Sequence, residues 1–185
     1  IFGSFIVYLG TSQQIFAELY GQGAYFALWF AFFAGGMAIA MMVNARLVMR
    51  LGMRKLAKYA LYGFLAAWAV MVVAVLASGG HPPLVMLGVV FFCSFFCSGM
   101  LFGNFNAMAL EPMGHIAGMA AAISGSLSSA IGVFFGAIAG RFYDGSMYPL
   151  AFAFFAFGIV SYVFAEWAAR ASVAASQRVA QKTGA

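Results

Sequence analysis

Apolar residues run along this chain in blocks longer than the core helix of a soluble domain needs. Four stretches carry no formal charge: Leu19–Ala45, Tyr59–Leu110, Pro112–Gly140 and Gly145–Ala165. A helix needs ~20 apolar residues to cross the hydrocarbon core of a bilayer, and within that core every backbone group must be bonded inside its own helix. Breakers divide the blocks. Ser78-Gly79-Gly80-His81-Pro82-Pro83 cannot continue a helix, and Glu111-Pro112 ends another. The pattern predicts six membrane segments: Ile1 to about Leu19, Ala24 to Met49, Ala57 to Ala77, Leu84 to Leu110, His115 to Phe142 and Tyr148 to Ala169. A polar tail, 170–185, follows. The fold class expected is an all-α integral membrane protein built as a bundle of six transmembrane helices over 1–169. The chain opens on Ile1 in apolar sequence, without Met or a basic stretch ahead of it. A first helix cut short is therefore expected, and no signal peptide.

Composition sharpens this picture. Hydrophobic residues make up 65% of the chain and charged residues 7%, against roughly 25% charged in a soluble domain. A net charge of +5 would suit nucleic acid if it formed one patch, but here it falls where topology signals fall. Arg46, Arg50, Arg54, Lys55 and Lys58 follow the second segment, and Arg170, Arg178 and Lys182 follow the sixth. With six segments these two regions share a side, opposite Arg141 alone. The excess of Lys and Arg makes their side the cytoplasmic one. An odd number of segments would separate the two clusters.

Candidate chemistry is sparse. The fifth segment carries Gly114, Gly118, Gly125, Gly132, Gly136 and Gly140, with Ala121, Ala122, Ser128 and Ser129 close to the same face. Such a face lets another backbone approach closely in lipid. It serves plain helix packing, a sliding contact with a partner domain, or both. Amides inside the membrane turn towards protein or a water-filled cavity. Gln13 and Gln14, beside Thr11 and Ser12, together with Asn104 and Asn106, are the candidates for lining a substrate cavity, or else for bonding between helices. The many Phe residues would make such a cavity aromatic, or would serve as lipid-facing filler. Cys93 and Cys97 lie one turn apart in an apolar run and suit packing. Ser124-Gly125-Ser126 has the look of an intramembrane serine site. It lies on the small-residue face, however, and His81 and His115 sit at membrane edges. No enzyme, metal site or cofactor is expected. Nor does any acid lie deep in the bilayer: Glu18, Glu111, Asp144 and Glu166 are all near helix ends or in loops.

Two stretches bring a family into view. Asn44-Ala45-Arg46-Leu47-Val48-Met49-Arg50-Leu51-Gly52-Met53-Arg54-Lys55 resembles the basic loop between the second and third helices of each major-facilitator half. Asn44 stands where an acid is usual. Phe102-Gly103-Asn104-Phe105-Asn106-Ala107-Met108-Ala109-Leu110-Glu111-Pro112-Met113-Gly114-His115-Ile116-Ala117-Gly118 is similar to the bicyclomycin-resistance (Bcr/CflA) branch of drug:proton antiporters, as is Phe142-Tyr143-Asp144-Gly145-Ser146 ahead of Pro149-Leu150. The resemblance covers nearly the whole chain. It implies the C-terminal half of a twelve-helix major-facilitator fold in a bacterial inner membrane, with the C-terminus cytoplasmic. Its implied partners are membrane lipid, an N-terminal six-helix half, a small-molecule substrate and protons, but no nucleic acid. It also implies two halves rocking between inward-open and outward-open states. The family's drug-binding acids and its glycine-proline antiporter motif belong to the other half. In that setting Gly118, Gly125, Gly132, Gly136 and Gly140 would face the partner half. Glu111, unfavourable at a helix C-terminus, would pair with Arg50 or Arg54 in one transport state. Two alternatives stay open: a major-facilitator uptake carrier for a metabolite, and a self-contained six-helix membrane enzyme or channel.

Overall fold

The computed structural model describes the backbone of residues 1–183 and the side chains of residues 1–171. Among the described residues every regular element is helical. Helix α1, Phe2–Gln14, widens into a π turn at Ile15–Leu19. Helices α2, Phe26–Leu51, and α3, Met53–Ala77, follow. Next come α4, Leu84–Leu110, α5, Ala117–Gly140, and α6, Tyr148–Thr183. A 3-10 segment, Glu111–Ile116, separates α4 from α5. Four helical stretches are long and apolar enough to cross a membrane: Gly23–Leu51, Met53–Ala77, Leu84–Gly140 and Tyr148–Ala171. The third of these holds both α4 and α5. The chain is a helical, membrane-embedded protein.

The helices depart from the sequence reading at their ends, and α1 is not among the stretches long and apolar enough to cross a membrane. The basic stretch after the second segment is hardly a loop. Arg46 and Arg50 ride on α2, while Arg54, Lys55 and Lys58 ride on α3. Gly52 alone joins the two helices, at φ 77° and ψ 155°, a conformation that is essentially open only to glycine. Helix α6 does not stop at Ala169 but continues as backbone helix to Thr183, so the tail begins as a helical extension. Arg178 and Lys182 lie outside the residues whose side chains are described.

Helix α4 occupies the middle. It packs against α2 and α3, while α1 packs on α5 and α6, α3 packs on α6, and α2–α3 and α5–α6 make smaller contacts. The ring of Phe91 on α4 meets a ring from each of four other helices: Tyr8 on α1 at 5.3 Å, Phe33 on α2 at 5.4 Å, Trp68 on α3 at 5.4 Å and Phe154 on α6 at 5.9 Å. All five are essentially excluded from the surface. Tilted and edge-on pairs at these separations add to plain burial. Glycines let the helices close around this cluster. A Cβ on Gly99 of α4 would lie 2.8 Å from the Met37 carbonyl oxygen of α2, and one on Gly88 would lie 2.8 Å from the Trp29 ring. On α6, Gly158 leaves room for Leu65 of α3 at 2.8 Å. Much of the Phe content therefore fills the space between helices.

The connections sort onto two ends. At one end Tyr20 donates its hydroxyl hydrogen to the Pro82 carbonyl at 2.7 Å, and Met147 N–H bonds the Gly80 carbonyl at 3.0 Å. The loop at 78–83 thus touches both the π-turn exit and the α5–α6 loop. The turn that starts α6 is built on Asp144, whose Oδ1 accepts from the Ser146 hydroxyl at 2.6 Å and its backbone N–H at 3.0 Å. Those two bonds, the hydroxyl's first, hold its carboxyl below the usual carboxylate range. At the other end lie Gly52, its flanking cations and the 3-10 segment.

Because Phe91 joins five helices, Phe91→Ala is expected to cost about 3–5 kcal/mol. Phe134→Ala, on a ring that faces outward from α5, should cost about 0.5 kcal/mol or less. Thermal unfolding of the detergent-purified variants, followed by monodisperse gel-filtration signal, checks the contrast.

Candidate functional site

The polar residues singled out from the sequence do not form one cavity. Asn104 is buried on α4 and spends its amide on two acceptors, the Asn44 Oδ1 of α2 at 2.6 Å and the Met100 carbonyl at 2.8 Å. It acts as a clasp between α4 and α2. Asn106 is exposed two residues further on, as are Gln13 and Gln14 on α1. The ring pairs Phe2–Phe102, Phe5–Phe95 and Tyr8–Phe91 set α1 antiparallel to α4. At 1.5 Å of rise per residue, Gln13 and Asn104 stand roughly 20–27 Å apart along the bundle. The buried polar residues of α1 are its neighbours Ser4, Thr11 and Ser12; Thr11 donates to the Val7 carbonyl at 2.8 Å. Among the described residues the hydroxyls of Ser4, Tyr8 and Tyr143 and the Trp68 indole nitrogen are buried without a hydrogen-bond partner. Tyr143 lies at the loop end, where burial and then the charges of Glu18 and Asp144 raise its pKa.

The glycine face of α5 divides in two. Gly132 and Gly136 are buried against α1. A Cβ on Gly132 would run into the Phe2 ring, and one on Gly136 would lie 2.6 Å from Ile6 and 3.3 Å from the Gly3 carbonyl. Gly140 approaches Thr11 at 4.0 Å. These three serve packing inside the chain, with α1 and α5 running parallel. Gly118 and Gly125, nearer the start of α5, have nothing within 4 Å of a Cβ and are exposed, as is Gly114. Spacing alone could not separate the two groups, because both lie on one side of the helix. What separates them is how far α1 extends.

At the basic end, α3, the end of α4 and α6 enclose a cleft of about 480 Å³. Its apolar lining includes Leu61, Phe105 and Met108, and its rim carries Arg54, Lys55, Lys58, Glu111 and Glu166. The one ion pair among the described residues is Lys58 with Glu166, joining α3 to α6. Lys58 also stands 5.8 Å from the Tyr62 ring, which packs on Tyr162 at 5.7 Å. Glu111 and Arg54 share the cleft, whereas Arg50 lies outside its lining. Neither cation is in an ion pair with Glu111 in this conformation. The Lys58–Glu166 pair escaped the sequence reading, since more than a hundred positions separate the partners and only the α3–α6 contact brings them together.

Comparison with known families, with curated proteins and with solved structures gives no match.

If Asn44 and Asn104 act as a clasp, alanine at either position should lower stability, and the paired substitution should cost less than the sum. A coupling of about 0.6 kcal/mol is expected for such a bond in a membrane bundle. Equilibrium unfolding of Asn44→Ala, Asn104→Ala and the double variant measures it. Additive losses would remove the clasp.

Proposed function

We propose that this chain is the C-terminal six-span half of a major-facilitator transporter that exports drugs or other small molecules in exchange for protons by alternating access. The helix pairing carries this reading. Exchanging the unit α1–α3 with the unit α4–α6 turns the α1–α5 pair into α4–α2, the α3–α4 pair into α6–α1 and the α2–α3 pair into α5–α6, and leaves α3–α6 in place. The α1–α5 and α2–α4 pairs match in extent, whereas the α3–α4 packing is far more extensive than its α1–α6 counterpart. This exchange is the pairing expected of two three-helix units inserted from opposite sides, the inverted repeat that underlies rocking transporters.

Three further features support it. The cations on either side of Gly52 gather at one end, as a cytoplasmic end requires, and they fall in the stretch that resembles the major-facilitator loop. The small-residue start of α5 is left open, as a surface meeting a second bundle would be. No acid is buried among the described residues, which leaves proton coupling to the other half. In this reading Gln13, Gln14 and Asn106 reach the substrate pathway from the exposed surface. Asn104 acts on it through Asn44 by fixing α4 against α2.

Expression of the full-length gene in an efflux-deficient bacterium should raise its tolerance to apolar cationic drugs, and drug addition to purified protein should release protons. Unchanged susceptibility together with substrate accumulation in the cell would point to uptake. The two classes of glycine should also separate. Gly118→Leu and Gly125→Leu should stop export in a protein that remains folded. Gly136→Leu should already lower thermal stability, by wedging α1 from α5 at a cost of about 1–3 kcal/mol. Cysteines at Ser78 and Ser146, in a background without Cys93 and Cys97, should react with an impermeant reagent on intact cells. Labelling only after lysis would reverse the orientation.

A further inference from the structure

The cleft at the basic end has features that helix packing leaves unexplained. It opens between α3 and α6, whose outward surfaces are apolar and unpartnered over much of their length: Val70, Val73, Val163 and Phe164 are all exposed. At the level of the cleft those surfaces turn aromatic. Tyr59 is 61% exposed and Trp167 68%, the positions that Tyr and Trp take where hydrocarbon gives way to headgroups. Below this level the walls are apolar, with Leu61, Phe105, Met108 and Ala165. Above it stand the charges.

Those charges have a definite balance. Lys58 and Glu166 neutralise each other as an ion pair. Of the remaining rim, Arg54 and Lys55 are positive and Glu111 is negative, which leaves a single positive charge. An apolar slot facing the bilayer beneath one net cation is complementary to one kind of molecule, a phospholipid with a singly charged phosphodiester. Basic pockets between membrane helices attract anionic headgroups in this way, by roughly 1 kcal/mol per Lys or Arg near the surface. A free anion would gain nothing from the apolar walls.

We infer that this cleft is a binding site for an anionic phospholipid of the phosphatidylglycerol type, its phosphate held by Arg54 and Lys55, its headgroup hydroxyls within reach of Glu111 and an acyl chain lying along Phe105, Met108 and Ala165. The site draws on the membrane embedding of the chain and not on its transport activity. A lipid there would bridge α3, α4 and α6 at the end where the Gly52 link turns.

Native mass spectrometry of the purified full-length protein, presented with equal amounts of phosphatidylglycerol and phosphatidylcholine, tests this directly. A retained phosphatidylglycerol adduct is expected, in preference to phosphatidylcholine. Arg54→Gln with Lys55→Gln should lower that adduct about tenfold or more. Arg46→Gln with Arg50→Gln removes as much charge outside the cleft and should leave the adduct within about twofold. Ala165→Phe fills the slot with every charge in place and should also lose the lipid. Retention by both cleft variants would overturn the site. So would equal loss in the Arg46/Arg50 variant, which would indicate diffuse attraction. Displacement of the lipid by glycerol phosphate at similar concentration would overturn it too, since the cleft would then be an anion site. Drug export enters none of these readings.

Discussion

One ring holds this bundle together. Lipid tails are as apolar as the side chains they touch, so the hydrophobic effect that gathers a soluble core gives little drive between helices here. What remains is close contact, and Phe91 supplies it at the centre of α4, against rings from α1, α2, α3 and α6. The close approaches elsewhere follow from it. Gly88 and Gly99 bring α2 near enough for Phe33 to reach Phe91, and Gly158 does the same for α6 against α3. Helix α5 takes no part in the cluster; it attaches through Gly132 and Gly136 to α1. Five helices thus share one aromatic cluster, and the sixth packs mainly on α1 through a glycine seam, with smaller contacts to α4 and α6.

That division bears on how the two ends differ. The end with Tyr20, Gly80, Pro82 and Met147 is tied by loop-to-loop hydrogen bonds. The basic end is tied by charge, through Lys58 and Glu166, and encloses a cleft instead of a packed cap. The exposed start of α5 lies towards the same end. Openness and positive charge therefore coincide at one end of the bundle.

The helices were legible from the sequence because their signals are strong and local. Paired Gly and Pro at 79–83, Glu111-Pro112, and long charge-free runs mark where helices must stop. Their ends were less legible. The cations on both sides of Gly52 read as a loop because charge usually marks loops, yet long basic side chains extend well from helix ends. Of the candidate site, the residue types were right for a membrane interior, but their partners were hidden. Asn104 reads as a cavity amide or an interhelical one with equal ease, and only the α2–α4 contact chooses Asn44. The glycine face of α5 gave a direction but not a partner, and the structure assigns its two parts differently. The Lys58–Glu166 pair and the close-packing glycines of α4 and α6 left no trace in periodicity.

The single-residue link at Gly52 has a mechanical meaning. With one residue between them, at a backbone angle that other residues resist, α2 passes into α3 without an intervening loop. Among the described residues helical bonding changes pitch at the π turn Ile15–Leu19, at the 3-10 turn Gly23–Tyr25 and at the 3-10 segment Glu111–Ile116, where Met113 leaves helical geometry at φ −114° and ψ 27°. The first two lie together between α1 and α2, and the third lies at the opposite end between α4 and α5. Any side chain at position 52 would strain that turn, so the course of the chain from α2 into α3 rests on one glycine.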